Sequence, residues 1–173
     1  LITFNGEQKT KDFYLNRLKL HAAADELIQG TGWGDGKGCA VGCTLENYSH
    51  AAYETELGIP RILARLEDRI FEGMSNENAQ LFPIQFLEAV PVGVDLKDVF
   101  KKFFIWMLTD AEYGVIRFAK TDKSRSAIQG VSDLLEKSLL EEVTSEQFLE
   151  VRKIAADAYD AAADAYDADA YDA

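Results

Sequence analysis

Every second residue from Gly30 to Gly38 is glycine, in the run Gly30-Thr-Gly-Trp-Gly-Asp-Gly-Lys-Gly38. Ordering that much glycine costs more backbone entropy than a helix or strand interior returns, so the stretch is a connection. The sequence on either side of it reads as helix. Phe13, Leu15, Leu18, Leu20, Ala22, Leu27 and Ile28 recur near a 3.6 period over Asp12–Gln29, with Gly30 as the stop. Cys39–Tyr53 contains a short helix, strongest from Glu46 to Glu56, ended by Gly58-Ile59-Pro60.

The same reading continues to the C-terminus. Pro60 suits the first position of a helix to Phe71, with Ile62, Leu63, Leu66 and Ile70 as its apolar stripe and Arg61, Arg65, Asp68 and Glu72 outside. Glu77–Ala89 is helical around Pro83. Asp95 caps Leu96–Thr109, whose Val99, Phe100, Phe103, Phe104, Met107 and Leu108 make it the most apolar helix and the expected centre of the core, Trp106 included. Val115–Lys120 is ambiguous, and Ser126–Leu140 is amphipathic. Thr144-Ser145-Glu146-Gln147 resembles a capping box that opens the last helix, with Thr144 or Ser145 as the cap. No stretch alternates at period two between hairpin turns, so the predicted fold class is all-α, a compact multi-helix orthogonal bundle with a long Ala-rich C-terminal helix.

A composition shift marks a domain at 1–154 and a tail at 155–173. The tail contains only Ala, Asp and Tyr, with Tyr-Asp-Ala at Tyr159, Tyr166 and Tyr171. It carries six Asp and no Lys or Arg, which leaves −6 for residues 1–154 out of a net charge of −12. Tyr159 and Tyr166 are seven apart and share a helix face, while Tyr171 steps off it. Two readings stand: the Tyr stripe packs on the body with the Asp face in water, or the acidic helix projects and binds a partner.

The charge argues against direct binding of nucleic acid, because phosphate backbones repel it. An acidic chain can instead fill the basic groove of a nucleic-acid-binding protein. No apolar run reaches the roughly 18 residues of a membrane span. The first residues show no basic n-region or apolar h-region, which predicts no signal peptide and a cytoplasmic protein. Two cysteines are too few for a disulfide framework, and reduced thiols are then the default.

The chemistry-bearing residues cluster around the glycine-rich segment. It is no phosphate loop: no frame yields G-x-G-x-x-G, and Gly36-Lys37 precedes Gly38 instead of Ser or Thr. Cys39 and Cys43 are spaced i, i+4, so on a helix both thiols share a face. The only histidines flank them, His21 with Asp25 one turn on and His50 with Glu54 one turn on. A helical hairpin bringing His21, Cys39, Cys43 and His50 together offers zinc two thiolates and two imidazoles, each imidazole backed by a carboxylate. C-x₃-C is not the usual zinc-knuckle spacing. A Cys nucleophile activated by His50 and Glu54, a reversible Cys39–Cys43 disulfide, and two small residues buried at a close contact remain alternatives. Glu54, Glu56 and Glu67-Asp68-Arg69 read as solvated helix faces. No catalytic residue is assigned. Trp33, in the loop, is a candidate contact residue, as are Tyr159, Asp160, Tyr166, Asp167 and Tyr171 in the tail.

Gly38-Cys-Ala-Val-Gly-Cys-Thr-Leu45, Tyr53-Glu-Thr-Glu-Leu-Gly-Ile-Pro60 and Leu63-Ala-Arg-Leu-Glu-Asp-Arg-Ile-Phe-Glu-Gly73, followed by the Ala/Tyr/Asp tail, resemble a family of helical proteins from bacterial and phage genomes. The resemblance covers roughly residues 10–173. It implies an intracellular protein of phage or mobile-element origin, and no reaction, cofactor or catalytic residue. The leading expectation is a non-enzymatic acidic module that binds another protein. The alternative is metal- or thiol-dependent chemistry at Cys39 and Cys43 with His21 and His50.

Overall fold

A computed structural model describes the chain from residue 1 to 171, and its side chains to residue 163. The fold is all-α, with one two-stranded hairpin of two residues per strand. The chain divides into two compact units, Leu1–Lys97 and Asp98–Ala173. The composition boundary at 154/155 falls inside the last helix.

In the first unit, α1 (Gln8–Ala23) precedes the hairpin of β1 (Trp33–Gly34) and β2 (Lys37–Gly38), then α2 (Ala40–Leu45). A single helical turn, α3 (His50–Ala52), runs into a π-helical turn at Tyr53–Leu57, followed by α4 (Arg61–Gly73) and α5 (Asn76–Ala89). Helix α1 packs on α2 and α5, and α4 packs on α2, α3 and α5. Phe4, Leu18, Val41, Tyr53, Leu57, Ile59, Phe71 and Leu87 are fully buried. Phe4 enters this core from a left-handed turn (φ 53°), a conformation that costs a non-glycine residue roughly 1–2 kcal/mol. Burial of its ring and the anchoring of Thr3 on the Pro91–Val94 turn, with Thr3 Oγ1 donating to Pro91 O at 2.6 Å, offset that cost.

The glycine-rich segment is more ordered than a loop. Asp35 (φ 52°) and Gly36 (φ 79°) occupy the two left-handed positions of a tight hairpin turn between β1 and β2. Asp-Gly is a strong short signature of that turn, outweighed in the sequence by the surrounding glycines. Gly38 and Gly42 serve a different purpose. A Cβ at either position would run into the carbonyl oxygen of Gly32, so both glycines let α2 sit directly on the loop backbone.

In the second unit, α7 (Asp122–Leu140) packs against both α6 (Val99–Thr109) and α8 (Ser145–Tyr171). A 3₁₀ turn at Val115–Phe118 joins α6 to α7. Thr144 and Gln147 form the expected capping box reciprocally: Gln147 N donates to Thr144 Oγ1 at 3.3 Å, and Thr144 N to Gln147 Oε1 at 3.0 Å. Helix α8 meets α7 through alanines, Ala158 being buried and Ala155 half-buried, while Tyr159 is 74% exposed. At this position the expected Tyr stripe gives way to an Ala stripe, because the small side chain permits the closer helix approach.

One expectation is reversed here. Helix α6, read as the centre of the core, has no buried residue, and Trp106 is 45% exposed. The apolar content of a helix sets its appetite for burial. Whether the rest of the chain supplies a surface to bury it against is a separate matter.

Candidate functional site

The first candidate is a polar cluster built on α4. That helix buries Leu63, Ala64, Glu67, Asp68 and Phe71, an arc spaced i, i+1, i+4, i+5, i+8. The stripe predicted from the sequence included Ile62, which is exposed, and left Asp68 outside. Two carboxylates therefore lie inside the protein where solvated ones were expected.

Asp68 is the hub. Its Oδ2 accepts from the Tyr48 hydroxyl at 3.1 Å and lies 3.0 Å from His50 Nε2, whereas the buried Oδ1 has no partner. Tyr48 and His50 also meet edge to face, 5.1 Å between ring centroids. The Cys39 Sγ, an Asp68 oxygen and a Glu72 oxygen all lie within 4.8 Å of one another. Glu72 is held in place by Gly30 N, which donates to its Oε2 at 2.7 Å. Tyr48, His50, Arg65, Asp68, Arg69 and Glu72 line a cleft of about 270 Å³ that opens to solvent. Among the described residues no Lys or Arg makes an ion pair with Glu67, Asp68 or Glu72; only His50 approaches Asp68.

Electrostatics follow from burial. Cys39 caps α2 from an extended conformation (φ −70°, ψ −178°), its Sγ accepting from Gly42 N at 3.5 Å. Burial first, and the Asp68 carboxylate second, hold its thiol well above the ordinary range. Glu67, fully buried, is pushed up to about 8 by desolvation, so it is protonated at neutral pH. The Tyr53 hydroxyl faces its carboxyl and lowers it in part, although no well-formed hydrogen bond joins the two. Tyr53 is raised by the same burial and by Glu67, and Tyr48 is raised to about 12 by burial and then Asp68.

The four residues expected to share a metal are divided. Cys39 is the N-cap of α2, its Sγ facing Gly42 N and Asp68. Cys43 Sγ turns instead to the carbonyls of Gly38 (3.3 Å) and Glu26 (3.4 Å). Both cysteines are buried and free, and burial raises Cys43 to about 12. His21 belongs to another cluster: its Nδ1 is 2.6 Å from Glu26 Oε2, its Nε2 3.7 Å from Glu46 Oε1, and its ring meets Trp33 edge-on at 5.4 Å. The carboxylates expected one turn after each histidine are not their partners. Asp25 leaves the helix in a left-handed conformation (φ 55°), and Glu54 Oε1 accepts from Arg61 N at 2.9 Å. A Cys39 nucleophile with His50 as base is also unsupported, since Asp68 stands beside the thiol and engages the imidazole.

The second candidate is the surface of α6. Phe100 and Phe104 (4.4 Å between centroids), Phe104 and Phe103 (6.2 Å), Phe103 and Trp106 (5.9 Å), and Trp106 and Tyr113 (5.9 Å) form one continuous line of rings. Tyr113 is 62% exposed. Asp160 on α8 is exposed; the side chains of Tyr166, Asp167 and Tyr171 lie outside the described residues. Trp33 is half-buried against His21 instead of standing free as a contact residue.

The sequence reading missed Glu67, Asp68, Glu72, Tyr48 and Tyr53. The available signal was Glu67 and Asp68 each lying four residues after Leu63 and Ala64, within the arc that ends at Phe71. No protein-family model, curated protein or solved structure matches the chain. No described helix is long and apolar enough to cross a membrane.

Proposed function

We propose that this protein is a non-enzymatic interaction module whose aromatic α6 surface docks a basic protein partner. The observation that carries the reading is that the most apolar helix has no fully buried residue, and its line of rings runs from half-buried Phe100, Phe103 and Phe104 to exposed Trp106 and, beyond the helix, exposed Tyr113. Aromatic residues are enriched at interfaces, and Trp and Tyr are among the few residues that dominate their binding energy. A net charge of −12 favours a positively charged partner and accelerates its encounter. A protein that normally occupies nucleic acid through a basic groove has the required chemistry.

The test places a photo-crosslinking aromatic residue at Tyr113 of the full chain in its native cell extract. The expected adduct is to one protein of net positive charge, with a yield that falls at least tenfold on Trp106→Asp and falls again with added salt. An adduct only to a second copy of the chain, or one indifferent to Trp106→Asp, overturns the proposal.

A further inference from the structure

The polar cluster on α4 has no place in partner docking, and its composition calls for a different occupant. Asp68 is 8% exposed, and its buried Oδ1 has no donor while its Oδ2 has two neighbours. An unpaired buried carboxylate oxygen is costly, and although Arg65 and Arg69 line the same cleft, no Lys or Arg among the described residues makes an ion pair with it. The Asp68 carboxylate stands beside the Cys39 sulfur and the Glu72 carboxylate.

We propose that Cys39, Asp68 and Glu72 are the protein ligands of a divalent cation site of the zinc class, with Tyr48 and His50 orienting Asp68. In a tetrahedral zinc site with bonds of about 2.0–2.3 Å, ligand atoms sit roughly 3.3–3.7 Å apart. The three donors here are within 4.8 Å of one another, so a modest contraction closes the site. Cys39 is held as a helix cap, Asp68 is buried, and exposed Glu72, near the end of α4, is positioned by the Gly30 N–H on its Oε2. Solvent in the cleft completes the fourth position. Asp68 is oriented as ligating carboxylates are, by hydrogen bonds from neighbouring side chains.

The donor set selects the metal. A thiolate disfavours magnesium and calcium, and mixed sulfur and carboxylate donors suit zinc or cobalt(II). Binding releases the Cys39 proton to solvent, because only the thiolate coordinates.

Cobalt(II) titration of the reduced full chain tests the proposal, since thiolate coordination produces a charge-transfer absorption. The wild-type protein is expected to show that band and to lose it when zinc is added. Cys39→Ser abolishes it, Cys43→Ser leaves it unchanged, and Glu72→Gln weakens zinc binding at least tenfold by calorimetry. His50→Gln weakens it about 10–100-fold through Asp68. Glu72 is exposed, so Glu72→Gln decides the matter if Cys39→Ser fails to fold. Absence of the band in the wild type, its survival in Cys39→Ser, or zinc affinity indifferent to Glu72→Gln overturns the site. None of these readouts involves the α6 surface.

Discussion

Asp68 Oδ2 and His50 Nε2 lie 3.0 Å apart, joining the buried face of α4 to a helix only three residues long. A turn that short has no stability of its own, and Ser49, whose side chain accepts from Ala52 N at 3.3 Å, only caps it. The contact with Asp68 therefore fixes where this segment sits, and it supplies the carboxylate with one of its two neighbours. Replacing His50 by alanine is expected to cost about 1–3 kcal/mol, the range for depriving a buried charged group of a hydrogen bond. Urea unfolding checks this; an unchanged midpoint would show that Tyr48 alone suffices.

Glu67 predicts an unusual pH dependence. Its folded-state value of about 8 lies above the ordinary 4.5, so between those values the folded chain holds a proton that the unfolded chain has released. Stability from this group is therefore lost as pH rises from about 4.5 to 8 and is level above that, with an upper bound of roughly 5 kcal/mol. Glu67→Gln should flatten the slope across that window. Denaturation series at several pH values measure it, and parallel slopes for the two proteins would refute the assignment.

The two thiols should be inert in the native protein. Both are buried, and their raised values leave almost no thiolate at pH 8. Alkylation of Cys39 and Cys43 is expected to run roughly a hundredfold or more slower than in urea. Rapid native labelling of either residue would contradict this burial.

Two glycine substitutions should have opposite signs. Gly42→Ala drives a methyl group into the Gly32 carbonyl and is expected to destabilise by about 1–3 kcal/mol or more, since backbone cannot step aside. Gly130, inside α7, faces open space, and Gly130→Ala should stabilise by about 0.5–1 kcal/mol. Thermal unfolding of the two variants distinguishes them, and equal shifts would rule out the close approach at Gly42.

Most helices were legible in the chain because they depend on neighbours within a few residues, but not all their ends: α1 stops at Ala23 and not Gln29, and Glu46, expected to open the stronger part of the next helix, is the left-handed C-cap of α2. Thr144 and Gln147 cap α8 as their spacing predicts, and α5 and α7 lie close to their expected spans. Less local features were not. Asp98, not Asp95, precedes α6, and Asp95 instead accepts from Lys97 N at 2.9 Å.

The glycine-rich segment shows the same limit. Its glycines exclude a helix, but which of them turn the chain and which admit another backbone depends on where Gly32 lies.

The sequence by itself determined an all-α chain, most of its helices and the Thr144 cap, because hydrogen bonds within a helix and its periodicity are short-range properties. Tertiary structure alone decided which faces are buried: α4 turns Glu67 and Asp68 inward, and α6 leaves Trp106 exposed and its three phenylalanines half-buried. It also decided that His21 and His50 serve different carboxylates. Burial depends on which surfaces arrive from distant parts of the chain, and no pattern within one helix encodes that.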